Sequence, residues 1–414
     1  MKALIVTTIG GFLSQFEMND VQILQSHGIE VHYASNFNNP IYDLDLDALN
    51  NDGIKTHHID IKKSPIHLWS NLKVILKLKE IIDSEQIDLI HCHNPMGGVA
   101  ARFAAQWSRR KPYVIYTAHG FHFYKGAPFI NWILFYTAER LLARYTDVII
   151  TINQEDRRRA ERFRLRKNGS VFQIPGVGVD MGRFSPKAWK NKDMREELKI
   201  PEHAFHIVTA AELNENKNQA VIIRAIAELG DADIYYSLCG KGPRKLELQE
   251  LISRFELDDR VRLLGYRYDM AEVLQTADCF AFPSYREGLG VAAIEALACA
   301  VPVVAADNRG TREYMRTGVN GVVCKADDIQ AFRDALIKLK TDKKYHAQLS
   351  TQCRESVEGF SIEQTDKIMS AVYQQAVERL EDRYGRTGKG AGDQSFSYHG
   401  SLQPTESESV GSGC

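Results

Sequence analysis

Residues 283–304 read PSYREGLGVAAIEALACAVPVV, and the order of residue types in this stretch indicates how the chain folds. The segment DCFAFPS (278–284) has the apolar and aromatic composition of a buried strand, and VPVVAA (301–306) has it again. Between them lie a loop with two glycines, Gly288 and Gly290, and the helical stretch VAAIEALACA. A strand, a crossover helix and a second strand of this kind predict neighbouring parallel strands covered by a helix.

The same alternation extends over most of the chain. The strand candidates are ALIVTT, EVHYAS, THHID, DLIHCH, YVIYTAH and DVIITI, followed by HIVTAAEL, DIYYSLCG, RVRLLG, DCFAFPS and VPVVAA. Helix-length segments such as HLWSNLKVILKLKEIID separate them. A glycine- and proline-rich stretch from Pro175 to Pro186 interrupts the pattern. We therefore predict an α/β fold of two consecutive domains, each a parallel sheet with helices on both faces, in which ligands bind outside the carboxyl ends of the strands.

The predicted domain boundaries follow from this interruption. The first domain is residues 1–180 and the second is residues 181–360. A helical pattern over 361–383 follows, and this helix could cross back to the first domain. Residues 382–414 contain 7 Gly and 6 Ser and almost no aliphatic side chains, so no core can form there. We expect residues 384–414 to be a disordered tail.

The composition narrows the class of protein. With 44% apolar and 25% charged residues, the 414-residue chain is typical of a globular protein, and its net charge of −1 gives no indication of nucleic-acid binding. The seven cysteines are scattered without a Cys-x-x-Cys pair, as in reduced intracellular proteins. No secretory signal and no run of eighteen apolar residues is present. A cytoplasmic location is expected.

Residues 101–170 form a basic block, with 14 basic and 5 acidic side chains. These charges either belong to solvated helix faces or form a surface that faces anionic lipid, where the protein would lie peripherally on the inner face of the cytoplasmic membrane. Within the block, NWILFYTAERLLARY (131–145) is either a core helix or, if partly exposed, a shallow membrane anchor.

The opening stretch also indicates a ligand. Glycines at 288 and 290 let backbone approach a ligand closely, and the free N–H groups at a helix start favour an anion. Carboxylates such as Glu287 and Glu295 accept strongly from hydroxyl groups. A nucleotide sugar, with a diphosphate between two polyols, fits both features. Alternatively, Glu295 complements the helix dipole and Glu287 is a solvated loop residue.

A resemblance to a known family rests on several motifs. The Glu-x7-Glu spacing, followed by E-A-x-A-x-x-x-P-V-V, resembles the signature of the retaining glycosyltransferases of family four, in the GT-B class. Further matches are Gly10-Gly11 after the first strand, IPGVGVD ending at Asp180, GKGP at 240–243, and NRGTREYM with Gly310 and Glu313. The run YTAHGFHFYKGAP (116–128) closely resembles the bacterial exopolysaccharide and capsule enzymes of that family. The resemblance covers about residues 1–380 and implies an α/β fold of the GT-B type, with two Rossmann-like, doubly wound domains that face a central cleft.

The resemblance implies roles for individual residues. Glu295 would hold the ribose hydroxyls, Glu287 the hydroxyls of the transferred sugar, and Lys217 the diphosphate. His119 would lie by the donor sugar and help to stabilise its oxocarbenium-like charge. The catalytic candidates are thus His119, Glu287 and Lys217, and the segment 265–267 would lie against the base. Donor-binding candidates besides Glu295 are Gly10, Gly11, Gly240, Gly242, Gly265, Tyr266, Arg267, Gly288, Leu289 and Gly290.

Some positions depart from the family pattern or remain open. Glu212 stands where the family often has an Arg, so Lys217 and glycine amides would carry more of the phosphate contact. His93, His122 and Tyr124 are acceptor or cleft candidates, although His122 and Tyr124 could equally be packing residues. His91-x-His93 has metal-like spacing but no apparent third ligand, and no Asp-x-Asp motif stands at a strand end. No cofactor and no obligatory metal ion are expected.

The resemblance predicts a hexosyl- or N-acetylhexosaminyl-transferase that retains the anomeric configuration. Its donor would be a nucleotide sugar with UDP as the favoured nucleotide. Its acceptor would be a polyprenyl-diphosphate-linked saccharide in exopolysaccharide, capsule or related glycan synthesis. Two other classes stay open at this point: a nucleotide-sugar epimerase with the same two-domain architecture, and a non-catalytic nucleotide-sugar-binding protein.

Overall fold

The computed structural model describes residues 1–38, 40, 42–62, 68–186 and 192–385. Two separate parallel sheets, each covered by helices, confirm the predicted α/β class. The predicted disordered tail, residues 384–414, lies outside the described residues except for its first two positions.

The first sheet has seven strands in the order β3-β2-β1-β4-β5-β6-β7, and every neighbouring pair is parallel. Its central strands read as continuous apolar runs because helices cover both faces. The strands are β1 (Lys2–Val6), β2 (Glu30–Ser35), β3 (Lys55–His58), β4 (Leu89–His93), β5 (Tyr113–Ala118), β6 (Val148–Thr151) and β7 (Ser170–Gln173).

The second sheet has six strands in the order β10-β9-β8-β11-β12-β13, again all parallel. In both sheets the strand order reverses direction beside the first strand, which is where ligands bind in such folds. The strands are β8 (Phe205–Ala210), β9 (Ile234–Cys239), β10 (Val261–Gly265), β11 (Cys279–Phe282), β12 (Val303–Ala306) and β13 (Gly321–Cys324).

All eleven strands predicted from the sequence are present, but two others were missed. These are β7 and β13, which lie at the edges of their sheets. Each has only four residues, and β7 is half-buried throughout while the middle of β13 is half-buried. Short, partly exposed edge strands carry neither a continuous apolar run nor a long alternating pattern, so periodicity does not find them.

Helices connect the strands. In the first half they are α1 (Phe12–Phe16), α2 (Met18–Ser26), α3 (Leu46–Asn51), α4 (Leu68–Ser84), α5 (Pro95–Trp107), α6 (Phe129–Asn131), α7 (Thr137–Leu142) and α8 (Gln154–Ala160). In the second half they are α9 (Lys192–Glu197), α10 (Gln219–Leu229), α11 (Lys245–Arg254), α12 (Met270–Leu274), α13 (Val291–Ala298), α14 (Ile329–Thr341), α15 (Lys343–Cys353) and α16 (Ile362–Tyr384).

The helical segment that contains α6 and α7 lies on the surface. A π-helical turn, Trp132–Tyr136, joins the two helices. Five large apolar side chains of the whole segment, residues 129–142, are between 48 and 78% exposed: Phe129, Ile130, Ile133, Leu134 and Leu141. The outward face is therefore not part of a core, which was one of the two interpretations of the sequence. No helix among the described residues is long and apolar enough to cross a bilayer.

The basic block of residues 101–170 does not form one exposed surface. Arg102 is fully buried, pairs with Glu139 at 2.8 Å and lies over the ring of Tyr116. Arg166 pairs with Asp147 at 2.7 Å. Part of the block therefore stabilises the interior of the first half of the chain, and only its exposed members can meet an anionic partner.

The segment IPGVGVD and the start of α16 lie side by side where the chain passes between the two halves. Val179 N–H donates to Phe360 O, and Ile362 N–H donates to Val179 O. A Cβ on Gly178, whose φ is +80°, would lie 2.5 Å from the Cα of Ile362. From there α16 packs against α2 in the first half of the chain.

This close approach makes Gly178 sensitive to substitution. Gly178→Ala should lower the free energy of unfolding by about 1–3 kcal/mol more than the left-handed backbone alone explains, because the added methyl group meets backbone that cannot move aside. The matched control is Gly230→Ala, where φ is +60° and a Cβ would lie more than 4 Å from every atom in the described part of the chain. Equal losses in the thermal unfolding midpoints of the two variants would contradict the packing argument.

Candidate functional site

The loops after strands of the two sheets meet in a cleft. Gly288, in the loop after β11, packs so closely on the carbonyl of His119 that a Cβ at 288 would overlap it. Asn153, after β6, donates from Nδ2 to the carbonyl of Gly288 at 3.0 Å. Elsewhere between the two halves, the hydroxyl of Tyr268, after β10, donates a hydrogen bond to Asp43, after β2, at 3.2 Å. The cleft is thus lined by carboxyl ends of strands from both sheets.

A buried ion pair joins the two sides of the cleft. Arg309, after β12, places Nη1 2.8 Å from Oδ1 of Asp156 in α8, and both side chains are buried. The same guanidinium donates from Nε to the carbonyl of Glu287 at 3.2 Å and lies over the ring of Tyr124. Sequence reasoning missed both Arg309 and Asp156. Arg309 directly precedes Gly310 in a motif that was identified, but its partner is 153 positions away.

Lys217 and Glu287 are paired in the cleft. Lys217 ends a short 3₁₀ turn, Glu215–Lys217, and its Nζ lies 2.5 Å from Oε1 of Glu287. Both side chains are largely buried, at 21 and 11% exposure. The resemblance assigned them to different parts of a donor, the diphosphate and the sugar. The structure places them in contact, so each neutralises the other in the protein alone.

Glu295 is partly buried in the second turn of α13, and no described residue donates a hydrogen bond to its carboxylate. Burial raises the pKa of Glu295 to about 7, and the positive charge of Arg183 opposes that increase only in part. A carboxylate held without a donor costs free energy in the protein alone and can be satisfied by hydroxyl groups of a ligand.

The start of α13 is open. Gly290, with φ +95°, precedes its first residue, and no side chain among the described residues caps the helix. The backbone N–H groups at this end are therefore available to an anion. Leu289 is 3% exposed and packs against Gly176, so only its backbone could contact a donor.

Four of the other glycine candidates, Gly10, Gly11, Gly240 and Gly242, are required by the packing of the chain itself, whereas Gly265 has φ +72° and a Cβ there would meet no described atom within 4 Å. A Cβ on Gly240 or Gly242 would overlap the carbonyls of Ala211 or Leu213, which lie in the loop after β8. Gly10 and Gly11 form the turn after β1, where added Cβ atoms would each lie 2.6 Å from a carbonyl oxygen, that of Asn36 for Gly10 and that of Tyr42 for Gly11. These turns bring backbone to the carboxyl edges of the sheets, which is where a donor would bind.

The segment 265–267 divides into two parts. Tyr266 is 46% exposed, and Lys241 lies over its ring. Arg267 instead pairs with Asp269 and Glu197, so its charge is already balanced within the protein.

His119 contacts two buried residues, of which His93 was a candidate from the sequence and Glu17 was not. Its Nε2 lies 3.2 Å from Nδ1 of His93 and 3.8 Å from Oε1 of Glu17. Burial lowers the pKa of His119 to about 4, so the imidazole is neutral at physiological pH. Glu17 was missed because a single glutamate at a helix start carries no signal without its tertiary partners.

His122 and Tyr124 lie between the cleft and the exposed helical segment. The ring of His122 packs on Phe135 at 4.8 Å, and its carbonyl accepts from Asn131. Tyr124 faces the cleft, where Arg286 and Arg309 lie over its ring. Thus His122 packs against the helical segment while Tyr124 borders the site.

Comparison with known families covers both halves of the chain. The sequence pattern of the family described as "Glycosyl transferases group 1" matches residues 190–356. The pattern described as "Glycosyl transferase 4-like" matches residues 4–153.

Similar proteins decide the family. The chain is 36% identical to the "Putative glycosyltransferase EpsD" of Bacillus subtilis (strain 168) over 376 residues, which is 90% of this chain and 96% of that protein. This chain belongs to the GT-B glycosyltransferases. Family membership favours sugar transfer over the epimerase and the non-catalytic binding protein that the sequence left open.

Two further proteins resemble this glycosyltransferase. It is 24% identical to the UDP-Gal:alpha-D-GlcNAc-diphosphoundecaprenol alpha-1,3-galactosyltransferase of Escherichia coli over 364 residues, which is 86% of this chain and 92% of that protein. The crystal structure of Anabaena Alr3699/HepE in complex with UDP and glucose matches with a TM-score of 0.72 at 18% identity, over 91% of this chain and all of that one. At that identity the likeness establishes the fold.

The raised pKa of Glu295 predicts a gain in stability when its charge is removed. Because this pKa lies above that of an unfolded glutamate, the folded protein loses stability as pH rises from about 4.5 to 7. Glu295→Gln should therefore increase the free energy of unfolding by about 2 kcal/mol at pH 8 and by little at pH 4.5. Thermal unfolding at both pH values measures this.

The same variant should bind UDP more weakly if Glu295 accepts from the ribose. Glu250→Gln, on the exposed face of α11, is the control and should change neither property. A Glu295→Gln protein with unchanged stability at pH 8 would contradict the assigned burial of that carboxylate.

Proposed function

We propose that this enzyme transfers a hexose or N-acetylhexosamine from a UDP-sugar to a polyprenyl-diphosphate-linked saccharide, with retention of the anomeric configuration. The product would belong to exopolysaccharide, capsule or related glycan synthesis. The observation that carries the proposal is the Lys217–Glu287 pair beside the uncapped start of α13, within a cleft that both sheets border.

The pair fits a nucleotide-sugar donor. An ammonium group and a carboxylate that neutralise each other can separate when a ligand supplies a partner for each. Lys217 would turn to the diphosphate, together with the N–H groups at the start of α13. Glu287 would then accept from hydroxyl groups of the sugar, and Glu295 from those of the ribose.

UDP is favoured as the nucleotide by similar proteins. The E. coli relative is named for transfer from UDP-Gal, and the Anabaena structure that shares the fold contains UDP. Arg267 is engaged by Asp269 and Glu197, so contacts to the base would come from backbone and from Tyr266.

Retention follows from a reaction on one face of the sugar. The glycosidic bond to the diphosphate breaks, the acceptor oxygen attacks from the same face, and the departing diphosphate takes the proton of the acceptor hydroxyl. Lys217 and the N–H groups at the start of α13 would stabilise the negative charge that develops on the leaving group. No enzyme nucleophile is needed, and we expect no obligatory metal ion.

The lipid-linked acceptor is supported by two observations. The E. coli relative is named for a diphosphoundecaprenol acceptor. In this chain, the loop that begins at His119 and carries Tyr124 leads directly into the exposed apolar helical segment. An acceptor anchored in a membrane that this segment touches would have its saccharide near the cleft.

The exposed helical segment has the character of a membrane-surface helix. Ile130, Ile133, Leu134 and Leu141 recur at helical spacing on one outward face. Arg140 and Arg144 are also exposed in this segment and could meet anionic headgroups. We therefore assign peripheral membrane binding to this face rather than to the whole basic block.

The transfer reaction can be tested with Glu287→Gln. The substitution keeps the size of the side chain but removes the charge that pairs with Lys217 and accepts from sugar hydroxyls. We expect kcat to fall about 100-fold or more in an assay of UDP-sugar and a polyprenyl-diphosphate saccharide, since charged contacts in the transition state are lost. Addition of EDTA should leave the wild-type rate unchanged.

Glu250→Gln is the control for this assay and should retain full activity. Unchanged turnover of Glu287→Gln would rule out the role assigned to Glu287. Inversion of the anomeric configuration in the product would overturn the proposed stereochemistry.

Membrane binding can be tested by replacing two apolar residues together, Ile133→Ser and Leu134→Ser. The double variant should lose most of its co-flotation with phosphatidylglycerol vesicles, because burial of these side chains in the interface is removed. Both residues are exposed, so the stability of the fold should change by less than about 1 kcal/mol.

Leu246→Ser is the matched control, since Leu246 is 76% exposed on α11 in the other half of the chain. Equal vesicle binding by the wild type and the double variant would show that this face does not meet the membrane.

A further inference from the structure

A buried cluster of titratable side chains lies behind His119. It is closed on the far side by α16, which returns from the second half of the chain. Its members are Glu17 at the start of α2, Asp20 in α2, His91 and His93 of β4, and Tyr373 of α16, and all of them are buried. The proposed transfer reaction uses none of these groups directly.

One part of the cluster is fully engaged. His91 Nδ1 lies 2.7 Å from the hydroxyl of Tyr373, and His91 Nε2 lies 2.7 Å from Oγ1 of Thr117. Asp20 approaches the same Nδ1 at 3.5 Å. Because both ring nitrogens of His91 have partners, this side fixes β4 and α16 against each other.

The other part leads to the cleft. His93 Nδ1 lies 3.3 Å from Oε1 of Glu17 and 3.2 Å from Nε2 of His119. His119 is 25% exposed, and among the described residues its ring makes a hydrogen bond only through Nε2. Its Nδ1 is therefore the ring nitrogen that can reach a ligand.

His93 Nδ1 contacts both Glu17 and His119. The charge of Glu17 therefore influences which ring nitrogen of His119 carries the hydrogen. If Glu17 is ionised, His93 Nδ1 carries a hydrogen and donates, so His119 Nε2 must accept and His119 Nδ1 carries the hydrogen. If Glu17 is protonated, it donates to Asp20 and no longer accepts from His93. His93 Nδ1 can then be bare and accept from His119 Nε2–H, which leaves His119 Nδ1 bare.

The two states differ by one proton taken up at Glu17, while each imidazole stays neutral. Two effects oppose each other. Burial raises the pKa of Glu17 well above its ordinary value, with Asp20 adding to the increase. However, Nε2 of His93 is buried without a partner among the described residues, and a bare nitrogen is tolerated there better than an unpaired N–H. That second effect favours the ionised form.

We propose that Glu17 is a positioning residue that sets the tautomer of His119 through His93, so that ionised Glu17 makes His119 Nδ1–H a donor to the ligand in the cleft. This rests on the proposed function for the identity of that ligand: a sugar hydroxyl or a diphosphate oxygen would accept the bond. A carboxylate that fixes an imidazole in this way acts without touching the substrate.

The tautomer can be observed without any substrate. The full-length protein, labelled with ¹⁵N-histidine, is titrated by NMR between about pH 5 and pH 8, the range in which such a switch operates. His119→Gln identifies the signals of His119. We expect protonated Nδ1 at the upper end and protonated Nε2 at the lower end. Glu17→Gln should keep Nδ1 protonated throughout, because its amide oxygen accepts but cannot titrate here.

Kinetics provide the second reading. Protonation of Glu295, whose pKa is about 7, should lower the kcat/KM of every variant towards acid pH. The wild type should show a further acid fall from uptake of one proton at Glu17, which Glu17→Gln should lack and Glu17→Asp should restore. The other titratable groups that face Glu17 are Asp20, Tyr33, His93, His119 and, from α16, Tyr373, whereas His91 and Asp366 lie near Asp20. Asp20→Asn should keep the acid fall, which separates the two carboxyl groups. Thermal unfolding verifies that each variant is folded.

An unchanged tautomer of His119 across the titration, or the same switch in Glu17→Gln, would overturn the assignment. An acid fall that disappears in Asp20→Asn instead would overturn it as well. If the wild type transfers no sugar at any pH, the proposed function fails, and the NMR titration still decides the role of Glu17.

Discussion

The contact between Gly288 and the carbonyl of His119 is the constraint on which the site depends. It joins loops from two different sheets at a distance that no larger residue permits. The buried pair of Arg309 and Asp156 holds the same approach. A buried ion pair loses much of its attraction to desolvation, so its main effect is to fix one arrangement of the two halves. This contact brings His119, which follows a strand of the first sheet, next to the loop of the second sheet that carries Glu287.

Without a ligand, some charged groups of the cleft have a partner and one does not. Lys217 and Glu287 satisfy each other, whereas Glu295 is left without a donor and has a raised pKa. Perturbed groups of this kind concentrate at functional sites, where the ligand supplies the missing partner. The arrangement links affinity to stability, because the group that destabilises the empty protein is the one that a polyol ligand would satisfy.

The returning helix α16 does more than complete the fold. It places Tyr373 against His91 and closes the cluster from which Glu17 and His93 reach His119. The second half of the chain therefore contributes to the site in two ways. Its own loops border the cleft, and its helix α16 covers the buried residues that contact His119.

The sequence by itself determined the fold class, eleven of the thirteen strands in the described part of the chain, the loops that carry Glu287 and Lys217 and the helix that carries Glu295, because strand and helix periodicity and glycine turns are local signals. It left open whether residues 131–145 are buried, since exposure depends on what packs against a helix. Only the tertiary structure decided that Lys217 meets Glu287, that Arg309 meets Asp156, and that Glu17 stands behind His119. These partners are separated by tens to hundreds of positions, and no local pattern records a contact that forms only when strands from distant parts of the chain align.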